Sequence, residues 1–249
     1  MRRHTEHSVT FDPQGDAFPL TRHSVVQAAQ STDPGERDWA VDAIASAYWR
    51  PIYKYLRMRW RADREDASDF TQEFFVRLLE QDLLHAYDPA KGRLRTFLRT
   101  CVDRLFLNQS RDAQRLKRGG GATHIALDFD KAEQELAAAS IESPEDLFEK
   151  EWVRVLFALA VERLRAHCAA AGKATHFQLF ERYDLAEAEA PLYAELAREF
   201  GLSTTDVTNY LAFARREFRR AVLDQLREMT GSEAEFQREA RSLLGVDPK

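Results

Sequence analysis

The chain has 249 residues, 36 Lys+Arg against 41 Asp+Glu, a formal net charge of −5, and 44% hydrophobic with 31% charged residues. That composition can bury a core, which excludes wholesale disorder and collagen- or mucin-like chains, and ten glycines with eight prolines argue against a turn-rich all-β protein. Cys101 and Cys168 have no CxxC spacing, the seven histidines are scattered without HExxH, and no window approaches the roughly 20 apolar residues of a membrane helix. The expectations are therefore a non-enzymatic protein of the reducing cytoplasm, with no metal, cofactor or membrane partner.

In chain order, residues 1 to about 20 carry Pro13, Gly15 and Pro19 with poor periodicity and read as a loose tail, followed by a helix over roughly 22–31. From Asp38 to Arg61, Trp39, Ile44, Tyr48, Ile52, Tyr55 and Leu56 recur at helical spacing, with an interruption expected near Pro51. Asp66 to Leu84 predicts a helix with Phe70, Phe74, Phe75, Leu78 and Leu79 on one stripe and Asp69, Gln72, Glu73 and Glu80 off it. After the turn-like Asp88–Gly92, a further helix carries Leu94, Phe97, Leu98, Cys101, Leu105 and Phe106.

The charge is strongly segregated. Lys91 to Arg118 holds nine basic and two acidic residues, a net +7, whereas Asp128 to Glu151 holds nine acids and two bases, a net −7. The basic stretch interleaves with Phe97, Phe106, Asn108 and Gln109, a combination suited to stacking and phosphate contact with single-stranded nucleic acid. Gly119-Gly120-Gly121 then marks a domain boundary, because each helical glycine costs on the order of 1 kcal/mol. An acidic linker follows, with at most a marginal helix in its KAEQELAAAS run.

Ser143-Pro144-Glu145-Asp146 is a helix start, with a capping serine, a first-turn proline and acids at the positive end. That helix runs to about Ala170, and another spans about Ala174 to Tyr183. Residues 191–226 read as helix, turn, helix: Gly201 stops a short helix, and Ser203-Thr204-Thr205-Asp206 is a capping box opening the next. In such a motif the second helix enters the major groove. Thr204, Thr205, Thr208 and Asn209 are then the candidate base readers, and Arg215, Arg216, Arg219 and Arg220 the phosphate contacts. Ser232–Glu235 is another capping box and predicts a short tail helix with Phe236, Ala240, Leu243 and Leu244 on one face.

On these residues the chain resembles a bacterial RNA polymerase sigma factor of the extracytoplasmic-function (ECF) group. Glu65 to Leu78 (EDASDFTQEFFVRL) is similar to the family's polymerase-clamp-binding helix, Gly92 to Arg111 to its promoter-melting helix, and residues 191–226 to its C-terminal helix-turn-helix. The resemblance covers roughly 38–118 and 145–227. It implies an all-α fold of two helical domains joined by an acidic linker: an extension (1–37), a region 2-like domain (38–118), a flexible linker (119–144), a region 4-like helix-turn-helix domain (145–228) and a tail (229–249).

The resemblance also implies roles. Asp66, Asp69, Gln72, Glu73 and Phe74 would bind core RNA polymerase, chiefly the β′ clamp with the β subunit nearby. Lys91, Arg93, Arg95, Phe97, Arg99, Arg104, Asn108 and Arg111 would hold the opened minus-10 strand of promoter DNA. Thr204, Thr205, Thr208, Asn209, Arg215, Arg216 and Arg219 would read the minus-35 duplex. Ser68 stands where many relatives carry an acid, with Thr71 nearby, so phosphorylation of Ser68 or Thr71 would restore the charge. A Ser/Thr kinase or an anti-sigma factor is then a candidate partner. The alternatives are a helix-turn-helix regulator working without polymerase and an all-helical interaction adaptor.

Overall fold

The computed structural model describes residues 24–80, 83–113, 127–137, 143–186 and 189–245, with the side chains of 79, 80 and 110–113 left aside. Among these residues every regular element is helical: α1 (Val25–Ala29), α2 (Pro34–Arg59), α3 (Arg64–Glu80), a 3-10 turn (Leu83–Ala86), α4 (Leu94–Ala113), α5 (Phe129–Ala137), α6 (Pro144–Ala170), α7 (Ala174–Asp184), α8 (Tyr193–Phe200), α9 (Thr204–Glu228) and α10 (Glu233–Leu244). The loose tail over 1–20 and the glycine boundary at 119–121 lie outside the described residues.

The chain divides into two compact units. One comprises residues up to Val153 together with Glu228–Arg238; the other comprises Arg154–Arg227 and Glu239–Lys249. The division falls inside α6, whereas the sequence suggests a break before that helix.

In the first unit α2 is the central element. Asp33 caps it, its carboxylate accepting from the Gly35 amide at 2.9 Å, with Pro34 in the first turn. The helix runs through Pro51 without the expected interruption. An interior proline costs about 3 kcal/mol. On either side of it Ile44, Tyr48, Ile52, Tyr55 and Leu56 are at most 1% exposed, and burying side chains of this size stabilises by about 1.5–3 kcal/mol each, so packing outweighs the local penalty.

Phe70, Phe74, Phe75 and Leu78 of α3, Leu94, Leu98 and Val102 of α4, and Phe148 and Trp152 of α6 fill the rest of this core. Tyr48 stacks on both Phe148 and Trp152 at 6.4 Å, and Phe70 meets Phe106 edge-on at 5.2 Å.

The segment expected as a flexible acidic linker contains an ordered helix, α5, which lies along α2. Phe129 contacts Tyr53 (4.8 Å) and Trp49 (5.5 Å). Glu133 takes Arg57 and the Tyr53 hydroxyl, and Glu135 takes Arg50 and Lys54. The reason lies in composition: α2 carries Arg50, Lys54 and Arg57 at helical spacing, and α5 supplies acids at matching spacing around one aromatic anchor.

In the second unit Leu164, Cys168, Phe177, Phe180 and Ala214 form one cluster, and Leu179, Leu196, Ala197, Val207 and Leu211 another. Ser143 starts α6 as expected, its hydroxyl accepting from the Asp146 amide at 3.0 Å.

Candidate functional site

The α3 helix begins at a cap: the Asp63 carboxylate accepts from the Asp66 amide at 2.8 Å. With Ala67, Phe70, Phe74 and Leu78 facing the core, Asp66 and Asp69 are left exposed, and Gln72 and Glu73 half-buried. Glu73 is already engaged, accepting from Arg77 on one oxygen and from Gln109 of α4 at 2.7 Å on the other.

Two residues expected in this set do not present themselves outward. Phe74 is 1% exposed, with its ring edge on Phe75, because it continues the same i, i+4 stripe as Phe70. Thr71 is fully buried and its hydroxyl donates to the Ala67 carbonyl at 2.7 Å, which takes it out of reach of a modifying enzyme. Ser68 is half-exposed, its hydroxyl donating to the Glu65 carbonyl at 2.9 Å.

The α4 helix is held to α2 through Asp103, whose carboxylate accepts from Trp60 Nε1 at 2.9 Å and the Tyr55 hydroxyl at 3.1 Å. Burial and this carboxylate together push the Tyr55 phenol above its usual range, so it stays a donor. With Leu94, Leu98 and Val102 turned inward, the opposite face of α4 and the preceding loop enclose a cavity of about 560 Å³. Lys91, Arg93, Phe97 and Arg104 line it, as do Tyr87, Thr96 and Thr100. Tyr87 and Phe97 are 5.3 Å apart, centroid to centroid. Bases at the rim, hydroxyls along the wall and two rings at one end can take a planar, hydrogen-bonding group attached to a phosphate.

The structure thus gathers four of the eight candidate nucleic-acid residues of this helix. Asn108 is exposed further along α4, outside the cavity lining, and the Arg111 side chain lies outside the described residues. Arg95 and Arg99 turn the other way. Arg95 is 7% exposed, pairs with Glu149 and lies 4.4 Å from the Trp152 ring centre, while Arg99 lies over Phe148 at 6.0 Å. Arg95 directly follows Leu94 on the inward side, and its charge is matched there by the acidic start of α6. Tyr87 had no candidate role in the sequence; its only signal was its place just ahead of the Asp-Pro turn.

In the second unit α8 ends at Gly201, whose φ of 66° is left-handed, and α9 begins at Thr204. The capping box forms as expected. Asp206 N donates to Ser203 Oγ at 3.0 Å. The Asp206 carboxylate accepts from the Ser203 hydroxyl at 2.6 Å and from the Ser203 amide at 3.2 Å, and these two bonds hold it below its usual range. Thr204, Thr205, Thr208 and Asn209 are exposed on the first turns of α9, with the Thr208 hydroxyl donating to the Thr204 carbonyl.

Arg219 and Arg220 are exposed further along; Arg216 is exposed beside Glu217 at 3.3 Å. Arg215 is committed within the unit. It donates from two nitrogens to Asp184 at 2.9–3.1 Å and lies over the Tyr183 ring at 5.2 Å. The fork is an intramolecular match for a carboxylate, which removes Arg215 from the free phosphate-binding set.

No group of three or more potential metal ligands occurs among the described residues, nor is any helix there long and apolar enough to cross a membrane. Residues 44–116 match the family model described as Sigma-70 region 2. The match runs from α2 through α3 to the end of α4, so it contains both the acidic face of α3 and the whole lining of the cavity. It supports a sigma-70 family sigma factor with a role in transcription initiation, and implies binding to core RNA polymerase and promoter DNA. No curated protein and no solved structure matches the chain.

Proposed function

We propose that this chain is an ECF-type sigma factor, which joins core RNA polymerase in the cytoplasm and directs it to promoters. The observation that carries the reading is the region 2 match, because it spans an exposed acidic helix and a basic, aromatic-ended cavity within one unit. Asp66 and Asp69, with Gln72 beside them, would meet the basic β′ clamp, where opposite charge sets the rate and register of docking. Lys91, Arg93, Arg104 and Asn108 would hold the phosphates of the opened minus-10 strand while Phe97, backed by the buried Tyr87 ring, stacks on a base.

The α8–turn–α9 segment would read the minus-35 duplex as a region 4 element, with Thr204, Thr205, Thr208 and Asn209 on base edges and Arg216 and Arg219 on phosphates. The regulator and adaptor alternatives leave the region 2 match without a use. A Ser/Thr kinase acting at Ser68 belongs to the reading, since a phosphate there would add negative charge to the outward face of α3.

Gel filtration of the purified chain with core RNA polymerase tests the proposal. Comigration is expected, and an Asp66→Ala, Asp69→Ala, Gln72→Ala variant should lose it. If the wild type, its Ser68→Asp variant and the triple variant all elute apart from core, the sigma-factor reading is wrong.

A further inference from the structure

The sequence places residues 229–249 beyond the minimal two-domain chain, yet the first part of this tail belongs to the same compact unit as α4. We propose that Glu235 is a positioning residue for the nucleic-acid cavity, holding the Tyr87–Gly92 loop and the start of α4 in their receptive geometry. This rests on the reading of the cavity given above.

Glu235 is 2% exposed, and its carboxylate is shared between two helices and a loop. One oxygen accepts from the amide of Gly231 at 2.8 Å, closing the start of α10, where the Glu235 amide in turn donates to the Ser232 hydroxyl at 3.2 Å. The other accepts at 3.0 Å from the amide of Leu94, the first residue of α4, which no carbonyl of that helix can satisfy. The Tyr87 hydroxyl lies 3.0 Å from the first oxygen, and burial together with this carboxylate pushes the phenol above its usual range, keeping it a donor. A negative group at the positive end of α4 is favourable in its own right.

The tail is also pressed closely on the loop. A Cβ on Gly231 would come within 2.6 Å of Tyr87 Cε1 and 2.8 Å of Pro89 Cγ.

Two roles fit a tail at this place: it could block the cavity or support it. The lining decides. Among the described residues every one that lines the cavity lies between Ala86 and Arg104, so the described part of the tail holds Tyr87 from behind and does not enter the cavity. Glu235 therefore acts through Tyr87, whose ring stands against Phe97 at the aromatic end. Without the carboxylate the Tyr87 hydroxyl keeps only the Gly92 carbonyl, 3.0 Å away in its own loop, and that loop loses its hold on the start of α4, loosening the ring's place against Phe97.

The experiment uses the full chain with core RNA polymerase and fluorescein-labelled single-stranded DNA, intact or with one abasic position, titrated by anisotropy at several salt concentrations. Removing the base that enters the cavity should weaken wild-type binding about tenfold. In Glu235→Ala the intact and abasic strands should bind within twofold of each other while the salt slope, which counts phosphate contacts, is unchanged. Loss of overall fold would lower both readouts together. Tyr87→Phe, which deletes only the hydroxyl, is the companion variant and should cut the discrimination at least threefold.

Full discrimination retained in both variants overturns the proposal. Tighter binding by Glu235→Ala overturns it in favour of a blocking tail. If the wild type discriminates at no position and Arg104→Ala leaves affinity unchanged, the cavity reading itself falls and the proposal with it.

Discussion

Replacing Lys54 by Met is the most demanding test of how the acidic segment is seated. Lys54 Nζ lies 2.7 Å from Glu135 of α5 and 2.9 Å from Glu151 of α6, and the side chains of Lys54 and Glu151 are each 2% exposed. Methionine keeps the volume and removes the charge facing both carboxylates. Removing one partner of a buried ion pair costs about 3–5 kcal/mol, because the remaining charge stays desolvated. With a urea dependence of about 2 kcal/mol per M, the unfolding midpoint should fall by roughly 1.5–2.5 M. Tryptophan fluorescence follows this unit through Trp152, which is buried in its core.

Two companions separate burial from charge. Lys54→Met with Glu151→Leu should recover most of the loss, since an apolar replacement of a buried pair is often neutral or better. Arg64→Ala, which breaks a pair whose side chains are 56% and 72% exposed, should cost at most about 1 kcal/mol. A Lys54→Met midpoint within about 0.3 M of wild type would refute the claim that α2, α5 and α6 are joined by a desolvated charge cluster.

Gly201→Ala should destabilise the second unit by about 1 kcal/mol in chemical denaturation, because φ is 66° there and a Cβ is disfavoured even though nothing lies within 4 Å of it. Burial, with Lys173 adding to it, pushes His176 below the ordinary 6.5; the unfolded chain then binds the proton more readily, so stability contributed above pH 6.5 is lost as pH falls below it, and an NMR titration of this ring should have its midpoint under 6.5. In holoenzyme binding to promoter duplex, Arg219→Ala should lower the salt slope by about one, whereas Arg215→Ala should leave it nearly unchanged because that guanidinium is held by Asp184. Thr71→Val should leave transcription as it is, while Ser68→Ala should abolish any kinase-dependent activation.

What the sequence disclosed best was anything written locally. The Ser203–Asp206 box, the Ser143 start of α6 and the Gly201 stop each involve residues within a few positions, and all form as their chemistry dictates. What it concealed depends on which way a helix faces and what waits there. Arg95 and Arg99 look like their basic neighbours in sequence, yet α4 turns them toward Phe148, Trp152 and Glu149, more than 40 positions away. Phe74 and Thr71 lie within a motif that resembles a docking surface, but the stripe that anchors the helix claims them. For α5 the local helical signal is weak because the groups it packs on, Trp49, Arg50, Tyr53, Lys54 and Arg57, lie on another helix. Ser232–Glu235 was legible as a cap, while the second use of its carboxylate on Leu94 and Tyr87 depends on distant chain.

The pairing of α5 with α2 also sets where the first unit attracts a polyanion. Arg50, Arg57 and Arg64 would otherwise offer a second cationic strip, and each is answered by a carboxylate from the −7 segment. A built-in counterion of this kind has no translational entropy to gain on release, so a nucleic acid cannot draw binding free energy from displacing it as it does from displacing salt. Loose adsorption of a polyanion is thereby disfavoured along α2, while Lys91, Arg93 and Arg104 line the α4 cavity. On the proposed reading the acidic segment would act as an internal competitor, disfavouring orientations that lay a strand along α2.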